Sequence, residues 1–67
     1  NDENLLLALG RLCIGQRLWG KAQSYLEASL AVAPSTAAHL ELARLFDSLG
    51  RQEEANRHFR LSVDQGA

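Results

Sequence analysis

Two stretches decide the fold: Leu9-Gly10-Arg11-Leu12-Cys13 and, 33 positions further on, Leu42-Ala43-Arg44-Leu45-Phe46. The same shift lays Leu7 on Leu40, Ala22 on Ala55 and Ser29 on Ser62, and it pairs Leu26 with Phe59 and Leu30 with Val63. Small residues recur at Gly10, Ala22, Ala43 and Ala55. Where two antiparallel helices cross closely only a small side chain fits, and larger residues around it fill the space. The match is therefore read as one helical hairpin written twice.

Outward from these stretches the apolar residues keep helical intervals, as in Leu5, Leu9 and Leu12. The period is three to four, not two, and no stretch rich in Val, Ile and Thr alternates. The spacing predicts four helices and no strands. The first runs from about Glu3 to Gln16 with Asp2 as N-cap. The second runs from Trp19 to Val32, with a buried face of Ala22, Leu26, Ser29 and Leu30. Pro34 stops it, because proline lacks the amide and disfavours helix in the residue before it. Ser35 caps the third, from Thr36 to about Leu49, which is expected to bury Leu42, Leu45, Phe46 and Leu49. Gly50 ends it through the left-handed conformation. The fourth runs from about Gln52 to Asp64, with Glu53 and Glu54 at the positive end of its dipole and a stripe of Ala55, Phe59 and Val63. The connections are short, so consecutive helices are antiparallel neighbours.

At 67 residues the chain is one small domain spanning 1–67, with repeat one at 3–34 and repeat two at 36–67. The formal charge is -1 and no basic patch is large enough to make nucleic acid the expected partner. The single cysteine, Cys13, cannot form an internal disulfide, and no apolar run reaches the ~18 residues of a membrane span. The chain opens on Asn1 and holds no Met, which reads as a piece of a longer protein.

The repeated hairpin resembles the tetratricopeptide repeat (TPR). Leu9-Gly10, and loosely Leu42-Ala43, match the Leu-Gly pair of that family's first helix. Ala22, Leu26, Ser29 and Ala55, Phe59, Ser62 match its second, and Pro34 matches the closing proline. The departure is early in the first helix, where Leu6 and His39 stand in place of an aromatic. The resemblance implies an all-α fold of two antiparallel hairpins in a short right-handed superhelical stack. More narrowly, Leu9-Gly10-Arg11-Leu12-Cys13 and the run from Leu18 to Glu27 look like the C-terminal repeats of bacterial HemY-type proteins. That likeness implies the non-catalytic domain of an inner-membrane-anchored protein linked to haem (protohaem) biosynthesis. It places the domain on the cytoplasmic side of the bacterial inner membrane, with the anchor outside this segment and no membrane insertion by the segment itself. Without that likeness the expected location is simply cytoplasmic.

Candidate chemistry is sparse. Gly15 to Ala22 fits a phosphate-loop spacing, but Ala22 stands where Ser or Thr must ligate magnesium, and no strand precedes it. The bland alternative is an inter-helix turn eased by Gly15 and Gly20, with Trp19 packed beneath. His39 and His58 have no second His or Cys three or four residues away, so they read as partly exposed structural histidines, and Cys13 as a small core residue. Ser24, Ser35, His39 and Asp47 lack the strand-turn-helix elbow of a hydrolase. The expectation is no enzymatic activity, no cofactor and no metal site. A small haem- or metal-carrying domain is kept as a second alternative.

The informative stripe is Leu7, Arg11 and Ile14 on the first helix, with Leu40, Arg44 and Asp47 as its counterpart on the third. In TPR arrays these positions face the concave groove, so the resemblance makes them a peptide-binding surface. Its two arginines suit a protein or peptide partner with an acidic group. The opposing reading solvates Arg11 and Arg44 or pairs them with Glu41 or Asp47. The first helix is apolar around most of its circumference, which assigns Leu5, Leu6 and Leu12 to self-association or to an upstream repeat. The fourth helix reads as a polar face meant for water, as at the C-terminal end of a longer array. The function expected is a protein-interaction or scaffold module. The alternative is an architectural segment that caps a longer array or self-associates.

Overall fold

A computed structural model describes residues 2–66. Four α-helices follow one another: α1 Glu3–Gly15, α2 Trp19–Val32, α3 Thr36–Ser48 and α4 Gln52–Gly66. Among the described residues there is no strand. Each helix end lies within two residues of its expected position.

The capping residues do what their chemistry allows. Asp2 Oδ1 accepts the amide of Asn4 at 2.9 Å, and Ser35 Oγ accepts that of Ala38 at 3.1 Å. These bonds satisfy amides that the first turn of a helix leaves without partners. At the other end α1 and α3 close identically. The amide of Leu18 donates to the carbonyl of Cys13 at 2.8 Å, and that of Arg51 to Phe46 at 2.8 Å. Inside these bonds Arg17 donates to Ile14 and Gly50 to Asp47, each at 3.0 Å. This pairing is a Schellman closure, and it requires one residue with positive φ. Gly50 has φ 75°, as expected. In the first hairpin that residue is Arg17, at φ 59°. Gly15 and Gly20 therefore do not provide the turn's backbone freedom; one ends α1 and the other lies in the first turn of α2.

α1 packs on α2 and α3 on α4, and the two hairpins join through α2 against α3 with a smaller α1–α3 contact. The helices of each hairpin are antiparallel. Glu3 at the start of α1 meets Ser29 near the end of α2, and Thr36 at the start of α3 meets Ser62 near the end of α4. Ala22, Leu26, Leu42, Ala43, Leu45 and Ala55 are fully buried, and Phe46 and Cys13 are nearly so. The small residues mark the close crossings. A Cβ on Gly10 would lie 2.6 Å from Leu26 Cδ2 and 3.6 Å from the Ala22 carbonyl.

Two burial expectations are corrected. Leu49 is exposed, because it sits at the C-cap of α3 beyond the last helical turn. Phe59 and Val63 are also exposed, so α4 does not show a purely polar outer face. α4 turns Ala55, His58 and Ser62 inward instead, positions i, i+3 and i+7 of one helix face.

Candidate functional site

The structure gathers Arg11 and Arg44 around one carboxylate. Arg11 Nε donates to Glu41 Oε2 at 2.7 Å, and Arg44 Nη1 lies 3.9 Å from the same oxygen. Arg11 comes from α1, whereas Glu41 and Arg44 are three residues apart on α3, so the trio ties the two hairpins together on one side. The Glu41 side chain is only 12% exposed, while both guanidinium groups face solvent. Burial keeps the carboxylate in place, and the arginines project over it. Asp47 is not part of the trio; its Oδ1 accepts from Gln52 Nε2 at 2.8 Å. Leu7 and Ile14 are half-buried and packed against the core, and Leu40 is half-buried on α3. Of the expected pairings, Arg11 with Glu41 is formed as a hydrogen bond and Arg44 with Glu41 as a longer ion pair, while Asp47 is engaged by Gln52.

One constellation lay beyond the reach of sequence spacing. His39, expected to be partly exposed, is buried, while His58 is half-buried as expected, and their Nδ1 atoms lie 3.0 Å apart. One ring must donate and the other accept. The His58 ring stacks on Phe46 with centroids 5.5 Å apart, and the guanidinium carbon of Arg51 lies 4.8 Å from the Phe46 centroid. Burial lowers the pKa of His39 below 6.5. Burial is also the main cause lowering His58, helped by His39 and Arg57 and opposed by Glu27 and Glu54. The two histidines are 19 residues apart, so no local motif could announce them. The hairpin's antiparallel register was the available signal, since it sets residues near 39 opposite residues near 58. Among the described residues no group of three His, Cys, Asp or Glu side chains could hold a metal ion.

The other sequence candidates are dispersed. The stretch from Gly15 to Ala22 forms the turn and the first part of α2, with Trp19 packed against the core. Ser35 Oγ is engaged as a cap, His39 faces His58, and Asp47 holds Gln52. Leu5 and Leu12 are exposed on α1, and Leu6 is half-buried. Among the described residues no helix is long and apolar enough to cross a membrane. Comparison of the chain with protein-family models, with curated proteins and with solved structures found no match to any of them.

Proposed function

We propose that the chain is a non-enzymatic, TPR-like interaction module whose α1–α3 side receives an acidic segment of a protein partner. The supporting observation is the pair of arginines, one from each repeat, directed at the single carboxylate of Glu41. Arg44 stands beyond hydrogen-bond range of Glu41, so its guanidinium has donors to offer an incoming carboxylate. Glu41 is then an internal competitor for the same cations. Titration with an acidic peptide tests the proposal. Arg44→Ala should weaken binding without changing the melting temperature, and Glu41→Gln should strengthen it. Equal affinity for all three proteins would refute the reading.

The narrower likeness extends the proposal to a membrane-anchored protein linked to haem biosynthesis. It rests on the residues from Leu9 to Cys13 and from Leu18 to Glu27 alone. The architectural reading is favoured by a separate observation: exposed apolar residues stand at both ends of the stack, on α1 and on α4.

A further inference from the structure

The repeat makes buried and exposed positions comparable one by one. Ala38 and Leu45 of α3 are fully buried at 0% exposure. Their counterparts 33 residues earlier are Leu5 and Leu12 of α1, exposed by 56% and 59%. On the second helices the asymmetry is reversed. Leu26 of α2 is at 0%, whereas its counterpart Phe59 of α4 is at 39%, and Val63, the counterpart of half-buried Leu30, is at 69%. The α2–α3 contact inside the chain accounts for both differences. α3 packs on α2 and α2 on α3, whereas among the described residues no helix packs in that way on the outer side of α1 or of α4. Each end of the stack thus shows one half of an interface whose complete form lies in the middle.

The geometry points to head-to-tail self-association, in which α1 of one copy docks on α4 of the next. Leu5 and Leu12 stand on α1 where Ala38 and Leu45 stand on α3. Phe59 and Val63 stand on α4 where Leu26 and Leu30 stand on α2, the helix that packs on α3. A second copy is the occupant because this chain carries both halves, in the register the internal joint already uses. Charge does not oppose the contact. Ala8 lies between Leu5 and Leu12, and the groove at Phe59 and Val63 is completed by one cation and one anion, Arg60 and Asp64. The two surfaces differ, so the association is heterologous and remains open to further copies. It uses neither arginine of the α1–α3 side, so it stands or falls separately from peptide binding.

Sedimentation of the intact chain over a thousandfold concentration range tests the inference. The wild type should grow in mean mass without stopping at a dimer. Leu12→Glu and Val63→Glu each remove one half, so each alone should be a monomer at every concentration, with unchanged helical circular dichroism. Mixed one to one, the two should form a heterodimer and nothing larger, because one good α1 and one good α4 remain. Leu5→Lys and Phe59→Lys repeat the test at the neighbouring positions. A wild type that stays monomeric throughout overturns the inference, as does a dimer that survives Val63→Glu, which would mean that α1 pairs with α1.

Discussion

Ser29 Oγ donates a hydrogen bond to the carbonyl of Glu3 at 3.0 Å, fastening the end of α2 to the start of α1. Thirty-three residues on, the equivalent junction is made from the opposite helix: Thr36 Oγ1 donates to the carbonyl of Ser62 at 3.4 Å. Ser62 Oγ turns instead to Phe59 in its own helix, at 2.7 Å. The two repeats keep the junction and exchange the donor. Ser29→Ala therefore removes the hydroxyl that bridges the first hairpin at a buried site. It should destabilise the fold by about 1 kcal/mol in urea denaturation. Ser62→Ala removes only a bond within one turn and should shift stability by no more than roughly 0.5 kcal/mol. Equal losses at the two serines would contradict the exchange.

The two turns differ in how well their residues suit one conformation. Gly50 adopts positive φ without steric conflict, while Arg17 holds the same backbone shape with a Cβ in place. Replacing Arg17 with Gly should stabilise the protein by about 1 kcal/mol. The reciprocal change, Gly50→Arg, should destabilise it by a similar amount. Thermal melts of the pair would check the opposite signs.

Much of this fold can be read from local chemistry. Asp2, Ser35, Pro34 and Gly50 each act on backbone groups a few residues away, so their effects stay in the sequence neighbourhood. The 33-residue shift likewise exposes the small crossings at Gly10, Ala22, Ala43 and Ala55. What escapes reading depends on neighbours that only the folded chain supplies. Phe59 looks like Leu26 by position, yet it is exposed where Leu26 is buried, and among the described residues no helix packs on α4 as α3 packs on α2. Arg17 gives no compositional sign of a left-handed turn, and the nearby Gly15 and Gly20 draw attention away from it. The trio on the α1–α3 side was half legible: the arginines follow from periodicity, but the choice of Glu41 over Asp47 depends on how the hairpins dock.

Gly10 and Gly20 are both helical glycines, yet their substitution should have opposite signs. A Cβ at Gly20 meets nothing within 4 Å, so Gly20→Ala gains helix propensity and should stabilise by about 0.5–1 kcal/mol. At Gly10 the new Cβ would lie 2.6 and 2.7 Å from Leu26 Cδ2 and Cγ. Leu26 is fully buried, so any retreat must displace close-packed neighbours. Overpacking of this kind costs about 1–3 kcal/mol, which outweighs the propensity gain. Gly10→Ala should lower the urea midpoint, and Gly10→Ala with Leu26→Ala should recover part of the conflict as a favourable coupling.

The contact between Arg11 and Glu41 joins the hairpins, but its energy is limited by water. Arg11 is more than half exposed, so solvent screens the attraction despite the 2.7 Å separation. A double-mutant cycle of Arg11→Ala and Glu41→Ala should return a coupling of roughly 0.5–1 kcal/mol, shrinking with added salt. A coupling that grows in high salt would show that the pair is held by packing, not by charge.

The His39–His58 contact makes stability depend on pH, and its direction follows from protonation. Both pKa values are lowered by burial below the unfolded value of 6.5. Between the folded and unfolded values the unfolded chain binds more protons, so stability rises with pH. The full contribution is present above about pH 6.5. It is lost as pH falls through 6.5, and the loss levels off once both folded values are passed. The geometry agrees, because two fully protonated rings are both donors and cannot share the 3.0 Å contact. For His58, Arg57 deepens the effect and Glu27 and Glu54 moderate it. The first repeat supplies a control that does not titrate near neutrality, since Leu6 and Tyr25 occupy the positions of His39 and His58. The His39→Leu/His58→Tyr variant should melt at nearly the same temperature from about pH 5 to 8, while the wild type loses melting temperature over the acidic half of that range. If both proteins lost stability in parallel, the pH dependence would belong to other groups.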